Sequence, residues 1–327
     1  MTARHRLLVA RPVPSAVAEA AAARFDATLA DHNLSGEEVI EICRSQRIGG
    51  LLMGGNLKLD AATIAALPQT VRVIATTSIG WDHVDAAAAE ARGITVTNVP
   101  DIGPECAADI AFMHILMCCR RAVEYDRLMR DGWGRRLGFD EMLGRRVSKR
   151  RIGIVGMGQI GRMVARRALA FDMEVHFTDL RPPASTVEGA TFHATLDDLL
   201  PLAEVLTLHL PDVPATRGLI GAAQLARLPK GAILINAARG TLVDQDALIA
   251  ALTSGHLFAA GLDTFADEPR VDPRLRAMTN VSLTPHAGSA TVETREGICL
   301  RCLDNIDAVL SGRPAINPVN RQPIVAG

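Results

Sequence analysis

Arg151-Ile-Gly-Ile-Val-Gly-Met-Gly-Gln-Ile-Gly161 decides how the chain is to be read. A short apolar run, Arg151 to Val155, leads straight into Gly156, Gly158 and Gly161, spaced G-x-G-x-x-G, and Asp179 closes the next apolar run about twenty residues later. Each glycine has its own physical task. Gly156 allows a sharp turn from strand to helix, Gly158 removes a side chain where backbone must approach a pyrophosphate, and Gly161 lets the helix pack closely on the strand. The helix that follows, from Gln159 to about Phe171, directs its positive end at the phosphates, with Gln159 and Ile160 in its first turn. Ile160, Val164, Ala168 and Leu169 fall at roughly helical spacing and form a face for a sheet. Met173 to Thr178 reads as the second strand, which puts Asp179 at its carboxyl end, where a carboxylate can accept both adenosine ribose hydroxyls. This is the pattern of a dinucleotide site.

Composition sets the outer limits. A chain of 327 residues, 48% of them apolar, suits two domains of ordinary size with a full core each. Thirty-five basic against 36 acidic residues give a net charge of −1 without blocks of like charge, which argues against nucleic-acid or membrane partners bound by bulk charge. The four-residue apolar run Leu7 to Ala10 ends at Arg11-Pro12 and reads as a first strand, not a signal peptide. Six cysteines without a disulfide rhythm favour a reducing cytoplasm. Cys299 and Cys302 form C-x-x-C, but no second pair or histidine set completes a metal site. They are read as packing residues of an amphipathic helix, and no metal is expected.

Before residue 100, strands (Leu7 to Ala10, Leu51 to Met53, Val71 to Thr76, Ile94 to Thr97) alternate with helices (Ser15 to Arg24, Glu37 to Arg44, Ala61 to Leu67, Val84 to Ala91). Such alternation builds a parallel sheet covered by helices. Pro100 and Pro104 interrupt it, and Pro104 suits the first turn of a long helix from about Glu105 to Met129. After the glycine loop, strands are expected at Val205 to Leu210, Ala232 to Asn236, Phe258 to Leu262 and Val281 to Leu283, with helices near Ala222 to Leu228 and Asp246 to Thr253. A final helix, Ala290 to Leu310, is expected to cross back onto the first domain.

Ligands of such sheets bind beyond the carboxyl ends of the strands. Arg239, Glu268 and His286 all follow strands in this sense. Taken singly, each has an ordinary structural reading: a surface ion pair, a turn cap before Pro269, a satisfied loop histidine after Pro285. His83 reads as structural, and Asp82 and Asp85 as turn and helix-cap residues.

Asn236-Ala-Ala-Arg-Gly-Thr-Leu-Val-Asp244, Gly261-Leu-Asp-Thr-Phe265 with Asp267-Glu-Pro269, and Pro285-His-Ala-Gly-Ser289 closely resemble the signature segments of the D-isomer-specific 2-hydroxyacid dehydrogenases. Thr77-Ser-Ile-Gly-Trp-Asp-His-Val-Asp85 and Leu143-Gly-Arg-Arg-Val147 match as well, so the resemblance covers essentially the whole chain. It implies an α/β protein of two doubly wound parallel-sheet domains, a Rossmann dinucleotide-binding domain (100–287) inserted into a flavodoxin-like substrate domain (1–99 and 288–327). It implies His286 as acid/base, Glu268 as its partner and Arg239 as the substrate arginine. The backbone amides of Ile79 and Gly80 are implied as a second carboxylate clamp, and Asp263 as the residue that orients the nicotinamide amide. Trp133 is expected in an inter-subunit arm of a homodimer.

The chemistry agrees with those roles. Reducing a 2-keto acid needs a hydride, a proton for the carbonyl oxygen and a cation for the carboxylate. Imidazole titrates near neutral pH and a carboxylate beside it favours its protonated form. A guanidinium binds carboxylate in a planar fork. The cofactor contacts are expected to extend to His209 and Pro211, to Ala237 and Ala238, and to Gly288, with Leu180 and Arg181 beside the adenosine; His209, near the cofactor strand end, is otherwise read as structural, like His83. Asp179 favours NAD over NADP by repelling a 2′-phosphate, although Arg181 could swing onto one. Met53 and Gly54, in a loop of small neutral side chains, are expected to face a small 2-keto or 2-hydroxy acid such as glyoxylate or hydroxypyruvate, and no second cation for a phosphate-bearing substrate is evident. The alternative is an NAD(H)-sensing, non-catalytic binding protein of the corepressor type.

Overall fold

The structure, a computed structural model, describes residues 4–180 and 187–321, so Arg181 lies outside the described residues. The chain divides into two compact units, Met1–Gly103 with Ala290–Gly327, and Pro104–Ser289.

The first unit is a five-stranded parallel sheet of β1 (Arg6–Val9), β2 (Asp26–Leu29), β3 (Gly50–Met53), β4 (Val73–Thr76) and β5 (Thr95–Thr97). Their order, β2-β1-β3-β4-β5, reverses between β1 and β3, the flavodoxin-like switch point. The strands β3, β4 and β5 are buried along their whole length, as a sheet covered on both faces demands. One core packs Leu8, Leu51, Ile74 and Val96 under the helix Gly36–Ser45. The other joins Leu7, Val9 and Leu52 to Ile298, Cys302, Leu303 and Ile306 of the helix Val292–Leu310. Both cysteines of the C-x-x-C pair are buried there, and Cys302 Sγ donates to the Thr76 carbonyl.

The second unit holds seven parallel strands: β6 (Arg151–Val155), β7 (Glu174–Thr178), β8 (Ala190–Phe192), β9 (Val205–Leu208), β10 (Ala232–Asn236), β11 (Leu257–Leu262) and β12 (Val281–Leu283). The order β12-β11-β10-β9-β6-β7-β8 reverses between β6 and β9, which is the Rossmann arrangement. One face is covered by the helices Pro104–Cys119 and Gln159–Ala170, through Phe112, Ile115, Val164 and Ala168.

Two expectations are corrected. The single helix expected from Glu105 to Met129 is two, Pro104–Cys119 and Ala122–Arg130, because Arg121 turns to φ +53° between them. Two strands, β2 and β8, were not foreseen. Both are sheet edges, half exposed and without the apolar run that marks an inner strand.

Candidate active site

The glycine loop is built as its spacing requires. Gly156 has φ +96°, and a Cβ there would lie 2.5 Å from the His209 carbonyl oxygen, so the end of β9 packs directly on the turn. A Cβ on Gly161 would lie 2.0 Å from the Gly156 carbonyl oxygen, whereas one on Gly158 would meet nothing within 4 Å. Gly161 therefore closes helix onto strand, and Gly158 leaves open space over the start of the helix Gln159–Ala170, whose first N–H groups have no intrahelical acceptor. That open space fits a phosphate. Asp179 folds back on the loop: Oδ2 accepts from Met157 N at 2.7 Å and Oδ1 from Leu180 N at 2.7 Å. Its remaining lone pairs can serve ribose hydroxyls. The Leu180 side chain is fully exposed.

Beyond β10, Asn236 fixes the turn that carries Arg239. Its Oδ1 accepts from Ala238 N at 3.1 Å and its Nδ2 donates to the Arg239 carbonyl at 2.8 Å. A Cβ on Gly240 would lie 2.0 Å from the Phe265 carbonyl carbon, so the missing side chain lets the loop after β10 touch the loop after β11. That second loop carries Glu268. Glu268 Oε1 accepts from Phe265 N at 2.9 Å, and Oε2 lies 2.8 Å from His286 Nδ1. Glu268 is thus both the turn cap of its own loop and the partner of the histidine.

His286 sits at φ +51°, a conformation that costs a non-glycine residue free energy and persists where surroundings over-determine it. Here they do. His286 N donates to the carbonyls of Asp263 (2.8 Å) and Thr284 (3.1 Å). The buried Asp263 carboxylate accepts from Ala287 N at 2.7 Å and Thr284 Oγ1 at 2.5 Å through Oδ1, and from Gly288 N at 2.9 Å through Oδ2. Asp263 therefore clamps the loop that presents His286, and the Gly288 amide is spent on it. Thr284 in turn lies 2.9 Å from His114 Nε2, and His114 Nδ1 lies 2.9 Å from Ser282 Oγ. Since the one hydroxyl proton of Thr284 goes to Asp263, its oxygen accepts from His114 Nε2–H, which assigns that tautomer. Burial holds His114 down at about 4, so it is a neutral member of the chain.

Charges follow this geometry. The hydrogen bond to Glu268 raises the His286 pKa above its ordinary value, against its burial and the charge of Arg239. Burial pushes Glu268 up, but the His286 and Phe265 hydrogen bonds and the charges of His286 and Arg239 outweigh it and hold the carboxyl low. Burial raises Asp263, and its hydrogen bonds oppose without reversing the shift. Arg239, Glu268, His286 and Asp263 thus form one electrostatic group.

Not every expected residue behaves as expected. His209 is held down at about 4 by burial and lies 3.0 Å from Thr207 Oγ1, so what it offers the glycine loop is backbone. Pro211 uses its carbonyl to accept from Thr216 Oγ1, while Ala237 and Ala238 line the turn before Arg239 half-buried. In the first unit, the Ile79 carbonyl accepts from Asn98 Nδ2 at 2.7 Å and that of Gly80 from Ser78 Oγ at 2.7 Å. Neither amide N–H donates a hydrogen bond among the described residues, which leaves both able to hold a carboxylate. Met53 is fully buried in the sheet core and supports its loop from beneath, so its side chain is withdrawn as a substrate contact. Next to it stands a residue that the sequence reading passed over. A Cβ on Gly54 would lie 2.0 Å from Arg11 Nη1, so a guanidinium rests on Gly54 and the loop is not neutral. Asp85 caps the helix Ala86–Ala91 as read, and His83 Nε2 lies 2.7 Å from Thr76 Oγ1.

Comparison with known proteins adds the lineage. Residues 112–288 match the profile of the D-isomer specific 2-hydroxyacid dehydrogenase, NAD binding domain. The chain is 36% identical to a glycerate dehydrogenase of Hyphomicrobium methylovorum over 94% of its length and 96% of the relative's. It is 40% identical to a glyoxylate/hydroxypyruvate reductase B of Yersinia pestis, over 84% of this chain and 85% of that one. Among solved structures, an NADPH-dependent glyoxylate/hydroxypyruvate reductase of Sinorhizobium meliloti, in complex with NADP and malonate, superposes with a TM-score of 0.86 at 31% identity, covering 98% of this chain and 100% of that one.

Proposed function

Because the chain belongs to the D-isomer-specific 2-hydroxyacid dehydrogenases, an oxidoreductase family of the glycerate dehydrogenase and glyoxylate/hydroxypyruvate reductase type, we propose that it interconverts a small 2-keto acid and its D-2-hydroxy acid. The observation that carries this reading is the pairing of His286 Nδ1 with Glu268 Oε2 at 2.8 Å. Nε2 makes no hydrogen bond among the described residues and is the nitrogen available to substrate.

Gly156 to Gly161 would hold the pyrophosphate of a nicotinamide dinucleotide and Asp179 its ribose, and the group would supply or accept the hydride. Arg239 holds the substrate carboxylate and polarises the keto oxygen; within the first unit, the N–H groups of Ile79 and Gly80, which donate no hydrogen bond among the described residues, are suited to carboxylate oxygen. His286 Nε2–H gives its proton to the keto oxygen on reduction, with Glu268 stabilising the imidazolium before transfer. In the reverse direction neutral His286 accepts the hydroxyl proton. Asp263 holds His286 in place.

NAD is the proposed cofactor, since Asp179 stands where a 2′-phosphate would be repelled. We read the assembly as a homodimer through the segment around Trp133, where Trp133, Phe139 and Leu143 leave apolar surface exposed. Sedimentation at monomer mass would remove that reading. A cytoplasmic setting fits six free, buried thiols, and no helix among the described residues is long and apolar enough to cross a membrane. The corepressor-type alternative is not favoured, because the relatives named above are dehydrogenases and reductases.

The test is a panel of 2-keto acids with NADH and NADPH in parallel, followed at 340 nm, with chiral analysis of the product. Turnover to a D-hydroxy acid supports the proposal. An L product, or binding of cofactor without turnover of any 2-keto acid, contradicts it.

A further inference from the structure

Arg11 follows β1 at the carboxyl end of the first sheet, beside the β1/β3 switch point where ligands of such sheets bind. Pro12 and Pro14 stiffen the segment behind it, and Ala10 N is tied to the Leu52 carbonyl, so the side chain leaves from a fixed base. Its guanidinium reaches one strand across and rests on Gly54, the residue after β3, where any Cβ would collide with it. Half-buried there, it makes no hydrogen bond or ion pair among the described residues, although a guanidinium carries five donors. A partly desolvated cation without a partner is a costly arrangement unless an anion completes it.

A second cation makes the case stronger. Arg295 stands in the first turn of the helix Val292–Leu310, the end at which the helix dipole disfavours positive charge. Burial depresses Arg11, Cys299 opposes, and the smaller effect of the Arg295 charge adds to the depression. Glu293 and Glu296 lie on the same turn, yet neither forms an ion pair with Arg11 or Arg295 among the described residues, and the Arg295 side chain has no hydrogen-bond partner there either.

We infer that Arg11, backed by Arg295, forms an anion subsite on the first unit that selects 2-keto acids whose far end carries a carboxylate or phosphate. This rests on the reading of the chain as a 2-keto acid reductase with Ile79 and Gly80 as its carboxylate clamp. Those amides follow β4, the strand next to β3, so the clamp and the guanidinium on Gly54 lie beyond the carboxyl ends of adjacent strands of one sheet. A substrate with an anion at each end, a four- or five-carbon keto diacid or a phosphorylated three-carbon keto acid, would engage both.

The experiment compares kcat/KM for 2-oxoglutarate with 2-oxovalerate, and for oxaloacetate with 2-oxobutyrate, in the wild type, Arg11→Gln, Arg11→Lys and Arg295→Gln, with 3-phosphohydroxypyruvate against hydroxypyruvate to tell phosphate from carboxylate. The wild type is expected to favour the anionic member of at least one pair by about 10- to 100-fold, the worth of one hydrogen bond to a charged group. That ratio should fall towards one in Arg11→Gln, recover in part in Arg11→Lys, and fall less in Arg295→Gln. A wild-type ratio near one in all pairs, or one that Arg11→Gln leaves in place, overturns the subsite. If the wild type reduces no 2-keto acid, the reading of the reaction fails, and calorimetric titration with glutarate against valerate then decides the subsite. Glutarate binding lost in Arg11→Gln upholds it, and equal binding of the two, or none, overturns it.

Discussion

Glu268 Oε2 lies 2.8 Å from His286 Nδ1, and this contact is the largest influence raising the histidine's pKa. A raised value means that the protonated, proton-donating form extends to higher pH than in a free histidine. Reduction should therefore be fast on the acid side and lose kcat/KM as pH rises through a break above 6.5, while oxidation gains over the same range. In Glu268→Gln the break should move to lower pH. A pH profile whose break is unmoved by that substitution would show that Glu268 does not set the histidine's charge.

The same shift has a stability sign. Because His286 binds its proton more tightly folded than unfolded, its contribution is fully present below the unfolded value and is lost as pH rises through the folded one. Thermal unfolding of wild type and His286→Gln should converge as pH is raised above that window. A difference that widens instead would contradict the assigned direction.

Thr284→Val removes both the donor to Asp263 and the acceptor for His114 Nε2–H. Leaving a buried donor unsatisfied should cost about 1 to 3 kcal/mol in chemical denaturation. Because the Asp263 clamp holds the loop at residues 284 to 288, kcat should fall as well, with the affinity for cofactor little changed. Thr284→Ser, which keeps the hydroxyl, should recover both. Equal loss in the serine variant would assign the effect to packing instead.

Gly158→Ala and Gly161→Ala separate binding from folding. A Cβ at 158 meets no protein atom within 4 Å, so the variant should unfold at the wild-type temperature yet raise the KM for dinucleotide by roughly tenfold or more, if backbone approach to the pyrophosphate is its purpose. At 161 the Cβ would sit 2.0 Å from a carbonyl oxygen, and both stability and dinucleotide affinity should fall. Unchanged cofactor kinetics in Gly158→Ala would remove the phosphate from that space.

What the sequence made legible was local. The glycine loop, Asn236 to Asp244, and Glu268 and His286 after their strands are patterns within a few residues, and strand ends of a parallel sheet collect such residues at one edge. What stayed hidden was tertiary. Thr284 and His114 are 170 residues apart, and nothing at either position alone announces a hydrogen bond between them. Arg11 reads as the end of a strand before a proline, and only the fold lays it on Gly54. Arg121 breaks the helix although arginine is itself a good helix former, because a left-handed residue there leaves no mark in periodicity. Edge strands such as Asp26–Leu29, exposed at both ends, carry no apolar signature to read.

Asp179 tests the choice of dinucleotide. With its oxygens already holding Met157 N and Leu180 N, its replacement by serine loosens the loop and removes the charge that repels a 2′-phosphate. The ratio of kcat/KM for NADH to that for NADPH should exceed one in the wild type and fall by about tenfold or more in Asp179→Ser, a change of roughly 1.4 kcal/mol. A wild type that prefers NADPH would contradict the assignment of NAD.

The most direct measurement is the initial rate of 2-keto acid reduction, with saturating dinucleotide, by the wild type and by His286→Ala, alongside dinucleotide binding by fluorescence titration. Loss of the general acid should lower kcat by about 10² to 10⁴ while dinucleotide still binds and the variant still folds. A loss of less than tenfold would mean that the proton comes from elsewhere and that His286, for all its constrained geometry, is not the acid of this site.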